Sequence, residues 1–75
     1  MRNPMLSWYN RVETDKFEAA HGRKPRGRQE WRFVFTSVAG VVTEFAPGEQ
    51  LYSDAKRWAL ARGRELSAYR IEVAI

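Results

Sequence analysis

The stretch Gly22-Arg23-Lys24-Pro25-Arg26-Gly27-Arg28 gathers basic side chains, two glycines and one proline, with no acid among them. Arginine and lysine at that density suit phosphate oxygens, which accept charge-assisted hydrogen bonds. A second basic group is Lys56, Arg57 and Arg64. On a helix these three fall within about 100° of one another, with Leu60 among them. Arg62 falls toward the buried side of the same helix and has to snorkel. The formal net charge is +4 and the isoelectric point is near 10.0. That balance favours polyanionic partners, nucleic acid first among them. The competing reading is plain: a solvated turn and a solvated helix face on a small basic domain.

Catalysis is poorly supplied. The chain has no cysteine, so disulfides, thiolate metal sites and a thiol nucleophile are excluded. His21 is the sole histidine, directly before a glycine. It has no fixed partner for general-base work, whereas a histidine at a helix end interacts favourably with the helix dipole. Glu13, Asp15 and Glu18 lie close together, but an acidic first turn is ordinary helix chemistry. One histidine and scattered carboxylates lack metal-ligand spacing, and no phosphate-binding glycine pattern is present. The expectation is a non-enzymatic protein with no metal and no cofactor.

These residues need a scaffold, and the scaffold centres on Trp31, Phe33 and Phe35. A period of two puts the three rings on one side of a β-strand. Each ring can bury roughly 150–250 Å², so they form the largest apolar surface in the chain. The first strand is expected over about 29–37 and the second over 41–45. A three-residue loop, Val38-Ala39-Gly40, sets Phe33 opposite Phe45, Phe35 opposite Thr43 and Ser37 opposite Val41. It keeps Glu44 on the other face, away from the aromatics, and places Gly40 where a left-handed residue is wanted. A two-residue Ala39-Gly40 loop would instead set Phe35 against Glu44.

Before the first strand, Thr14 suits an N-cap and Gly22 a C′ position, bounding a helix of about two turns. It docks through Phe17 with Ala20 or His21. The basic stretch follows as a solvated, mobile loop. After Ala46-Pro47-Gly48 comes a longer helix, from about Gln50 or Ser53 to Leu66, with Ser53 and Asp54 as its cap. Ala55, Ala59 and Gly63 recur every four residues, a row of small side chains that lets the helix backbone approach the sheet. Gly63 costs about 1 kcal/mol relative to alanine, and close packing is its motive. The third strand, 69–75, alternates Tyr69, Ile71, Val73 and Ile75 with Arg70, Glu72 and Ala74, and pins the chain end in the sheet.

The expected fold is therefore α+β: a short N-terminal helix, then ββαβ. Its three-stranded sheet has order 2-1-3, with one long helix packed on one face. The short helix, with Trp8 or Tyr9, completes the cover or closes the sheet edge. Of the aromatics, Trp8, Tyr9 and Tyr52 can be spared from the core. A chain of 75 residues is one small domain, 1–75, with an arm at 1–11. No apolar run approaches the ~18 residues of a membrane span. Met1-Arg2-Asn3-Pro4-Met5-Leu6 lacks the apolar segment of a signal peptide, so a cytoplasmic setting is expected.

Two resemblances add to this. Pro25-Arg26-Gly27-Arg28 resembles the core of an AT-hook, in which an extended Arg-Gly-Arg lies in the minor groove. Gln29 stands where that motif carries proline. The wider arrangement is Phe17, His21-Gly22-Arg23-Lys24-Pro25-Arg26-Gly27, then Trp31 and Phe33. It is similar to a family of small uncharacterised proteins of bacteriophages, plasmids and genomic islands. That likeness covers about residues 8–75, including the Tyr52-to-Trp58 helix start and the Ile71-Glu72-Val73 ending. It implies a mobile element in a bacterial host, where short proteins are often regulators or inhibitors of defence systems, such as anti-CRISPR proteins. The expected function is a binding module for nucleic acid or a nucleoprotein complex, acting through Arg23, Lys24, Arg26 and Arg28 and extended by Lys56, Arg57 and Arg64. The alternative is a protein inhibitor of a host defence complex, whose basic loop fills an acidic surface.

Overall fold

The structure is a computed structural model that describes residues 11–75. The roles suggested for Trp8 and Tyr9 lie outside the described residues. Helix α1 (Asp15–His21) ends at Gly22, whose left-handed backbone (φ 70°) lets its N–H bond the Glu18 carbonyl. Thr14 stands at the N-cap, but its side chain caps no backbone N–H; its hydroxyl donates to the Glu18 carboxylate instead. Phe17 is buried against Trp31, the ring centroids 5.7 Å apart.

Two short strands follow the pattern of the chain in an unexpected way. Strand β1 (Arg28–Gln29) pairs with β4 (Gln50–Leu51) as a separate two-stranded ladder. The central strand β2 (Arg32–Ser37) therefore starts three residues later than the expected start at about 29. The alternation still holds for burial: Trp31, Phe33 and Phe35 are all buried. Strand β3 (Gly40–Phe45) and strand β5 (Arg70–Val73) flank β2, both antiparallel to it, giving the order β3-β2-β5. In chain order of the three main strands this is 2-1-3, as expected.

The hairpin register differs from expectation. Phe33 faces Glu44, Phe35 faces Val42 and Ser37 faces Gly40. The loop is thus two residues, Val38-Ala39, and Gly40 is the first residue of β3, at φ 131°. Shifting one residue turns β3 over. Val41, Thr43 and Phe45 then face away from the long helix, and Glu44 faces toward it. A carboxylate on that face is tolerable because Arg62 reaches it with two hydrogen bonds, Nε to Oε1 at 2.8 Å and Nη2 to Oε2 at 2.9 Å. The arginine does not snorkel to water; it pairs. Its fork meets the carboxylate in the bidentate geometry that makes such pairs strong.

Helix α2 (Tyr52–Glu65) covers the aromatic face, burying Ala55, Ala59 and Gly63. Ser53 is not its cap: the N-cap is Leu51, with no side-chain hydrogen bond. Gly63 lies so close to β5 that a methyl group there would stand 2.5 Å from Ile71 Cδ1. Trp58 closes over Phe33 and Phe35, centroids 6.1 Å from each. Tyr52 is not spare. Its ring meets Trp31 edge-on at 5.0 Å, and burial raises its phenolic pKa.

Strand β5 is shorter than the alternation suggests. Ile71 and Val73 are buried, while Tyr69 and Ile75 are exposed. Ala74 nevertheless donates to the Arg32 carbonyl, so pairing continues past Val73. The outer edge of β5 is closed by the chain itself. Glu13 forms a parallel bridge there, donating to the Ile71 carbonyl and accepting from the Val73 N–H. Among the described residues no helix is long and apolar enough to cross a membrane.

Candidate functional site

The basic loop begins at Gly22 and is tied down at its far end. Pro25 is buried. The carbonyl of Gly27 accepts from Trp31 Nε1 at 3.2 Å and from the Tyr52 backbone N–H at 3.0 Å. Tyr52 opens α2, so this bond occupies one of the amide donors that a helix start leaves without a partner. Arg28 pairs across to Leu51 in the β1–β4 ladder, and its guanidinium donates to the Glu49 carbonyl at 3.3 Å. The backbone is a tethered turn, where a mobile loop was expected.

The tether sets the conformation. Gly27 has φ 90°, outside the extended region. Arg26-Gly27-Arg28 is therefore not the straight segment that an AT-hook lays along a minor groove. Reaching that form would swing the segment before Gly27, including the buried Pro25, away from its place beside the anchored carbonyl.

The side chains are another matter. Arg23, Lys24, Arg26 and Arg28 are all exposed. No carboxylate lies within ion-pair distance of any of them among the described residues. The paired cations lie elsewhere. Arg62 serves Glu44 and Glu65. Lys16 and Arg70 share Glu72, and Arg70 also meets Glu13. That second group balances two cations with two anions beside the open sheet face, where Arg32 also stands exposed and donates to the Ile75 carbonyl at 2.8 Å. Glu72 is the buried charged residue of the set, 8% exposed.

The second basic group divides. A shallow hollow lined by Pro25, Arg26, Gly27, Leu51, Tyr52 and Ser53 joins the loop to the start of α2. Ser53 lies one turn before Arg57 on the same face. Arg57 and Lys56 thus continue the surface that Arg26 begins. Arg57 also approaches Asp54 at 3.6 Å, an exposed pair worth little. Arg64 is exposed on the same flank, roughly 10 Å further along the axis. Leu60 is half-buried against the core. The structure thus brings Arg26 beside the start of α2, with Lys56 and Arg57 in the next turn and Arg64 further along, while Arg23 lines a separate hollow with His21, Glu30 and Arg32.

Sequence reasoning missed the anchors: Trp31 through its indole N–H, Gly27 through its carbonyl, and the β1–β4 ladder. Only the glycine at a turn gave a signal. His21 ends α1 with its ring over Phe17, centroids 4.2 Å apart. Of the candidate carboxylates, Glu13 is engaged by Arg70 and Glu18 by Thr14. No cluster of three or more His, Cys, Asp or Glu side chains is close enough to hold a metal among the described residues. Comparison with protein families, with curated proteins and with solved structures found no match.

Proposed function

We propose that the chain is a non-enzymatic binding module that engages nucleic acid, or a nucleoprotein complex, through the patch formed by the basic loop and the start of α2. The observation that carries this reading is the distribution of charge. The cations of Arg23, Lys24, Arg26 and Arg28 stand exposed without carboxylate partners among the described residues, while Lys16, Arg62 and Arg70 are occupied within the fold. A tethered turn holding several such cations at fixed spacing contacts phosphates. Minor-groove insertion in the manner of an AT-hook needs an extended Gly27 and does not belong to this reading. The setting is a bacteriophage or plasmid protein acting in the cytoplasm of its host, which rests on the sequence likeness.

The test is a titration of the purified chain with random-sequence DNA and RNA across a salt series. Three or four phosphate contacts give a slope of log K against log salt of about −2.7 to −3.6 on duplex DNA. Affinity then falls roughly 40- to 150-fold between about 50 and 200 mM salt. Affinity unchanged over that range refutes a phosphate-led mechanism. Recovery of a stoichiometric protein from nuclease-treated host lysate, without nucleic acid, supports the alternative of a protein inhibitor.

A further inference from the structure

The two edges of the main sheet are treated differently. On β5 the outward backbone groups of Ile71 and Val73 are bonded by Glu13. On β3 the outward groups have no partner among the described residues. Which groups these are follows from the ladder. Ala46 donates to the Trp31 carbonyl at 2.8 Å, in phase with the β2–β3 register. Hydrogen-bonded pairs alternate along an antiparallel ladder, so Gly40, Val42 and Glu44 bond β2, and Val41, Thr43 and Phe45 point their N–H and C=O outward. The same three residues turn their side chains to the open face, where Val41 is 66% and Phe45 58% exposed.

This edge lacks the features that keep strands apart. It is six residues long, matches β2 along its whole length without a bulge, and contains no lysine and no proline. Such an edge is a template for another strand. It is also self-complementary in one register. With a two-fold axis at Thr43, Thr43 faces its own copy and Val41 faces Phe45 in both directions. All three outward residues then form hydrogen-bonded pairs, about six bonds in total. On the helix side Glu44 faces Val42 of the other copy, with its carboxylate already neutralised by Arg62. Sliding by two residues, to an axis at Glu44, would set two carboxylates opposite each other, which is destabilising. Sliding the other way sets Phe45 against the turn residue Ala39. The helices do not obstruct pairing: over β2 and its copy they are three strand spacings apart, roughly 14 Å, beyond the about 8–10 Å of packed helices.

We infer that β3 is the interface for a second copy of this chain, pairing antiparallel about Thr43 to form a continuous six-stranded sheet with both α2 helices on one face. The interface is mostly backbone and small in area, so the dimer is weak, half-formed at a chain concentration on the order of 100 µM. The two basic loops then lie at opposite ends of one sheet.

The experiment is sedimentation equilibrium of the full chain, with amide hydrogen exchange followed by NMR at low and high concentration. The expected result is a monomer–dimer equilibrium with concentration-dependent slowing at Val41, Thr43 and Phe45. Thr43→Lys puts two ammonium groups opposite each other and raises the dissociation constant severalfold, with an unchanged circular dichroism spectrum. Thr43→Pro removes only an outward N–H, which an edge strand tolerates, and does the same. A chain that stays monomeric to about 1 mM overturns the inference. So does protection of those three amides that is independent of concentration, which would mean that the chain covers this edge itself. Dimerisation that neither variant weakens also overturns it.

Discussion

Gly63→Ala separates helix propensity from packing. In an isolated helix the change would stabilise by about 1 kcal/mol. In this fold the new methyl group would stand 2.5 Å from Ile71 Cδ1, 3.3 Å from Ile71 Cγ1 and 3.8 Å from Phe35 Cδ2. Ile71 and Phe35 are buried, 2% and 1% exposed, so neither has free space to move into. Overpacking of this kind costs about 1–3 kcal/mol. Set against the propensity gain, the net effect is a destabilisation of about 1 kcal/mol, or roughly 4–8 °C in Tm for a domain of this size. Urea denaturation followed by far-ultraviolet circular dichroism measures it. The second arm is Ile71→Val, which deletes Cδ1 and alone costs about 0.5–1.5 kcal/mol. On the Gly63→Ala background the same deletion relieves the clash, so the double variant is more stable than the sum of the two losses by at least about 1 kcal/mol. If Gly63→Ala stabilises the chain, and the two changes add, then close approach of α2 to β5 is not why glycine stands there.

Further outcomes follow from the same structure. The paired Arg62 guanidinium holds the Glu44 carboxyl below its ordinary value of 4.5. A folded-state value below the unfolded one means the pair stabilises fully above about pH 4.5 and less as pH falls through the folded value. The Tm advantage of the native chain over Glu44→Gln is therefore expected at neutral pH and should shrink toward pH 3; a constant difference would show that ionisation is irrelevant to the pair. Trp31→Phe keeps an aromatic ring but deletes the donor to Gly27. It should cost about 1–3 kcal/mol and speed hydrogen exchange at the Tyr52 amide, whereas equal exchange in both proteins would mean that the indole does not hold the loop. Arg26→Ala should flatten the salt slope of DNA binding by about 0.9, without altering Tm. An unchanged slope removes Arg26 from the phosphate contacts.

Local chemistry makes several features of this fold legible along the chain. Gly22 stops α1 because its position requires a left-handed backbone. The period-two aromatics mark the buried face of the central strand even across the break at Glu30, because alternation reports burial and not ladder membership. The Ala55, Ala59 and Gly63 row reports how close the helix comes, since small side chains every fourth residue have little other use on a buried face. The strand order follows from a helix that must cross between two strands flanking a third.

The register of the hairpin is not legible in this way, and the reason is physical. Excluding Glu44 from the aromatic face assumes that a carboxylate is costly there, which is true only if no cation reaches it. Arg62 comes from an element eighteen residues away, and sequence spacing alone gives no sign that the two meet. The loop shows the same division. Its composition favours keeping Arg23, Lys24, Arg26 and Arg28 in water, because four cations stand within six residues with no acid among them. That its backbone is anchored, with Gly27 bonded to Trp31 and to the first amide of α2, depends on partners up to twenty-five residues distant. Charge and periodicity are properties of short stretches and can be read along the chain. Partners for buried charges and for backbone groups are chosen only when distant segments meet, so tertiary structure alone settles them.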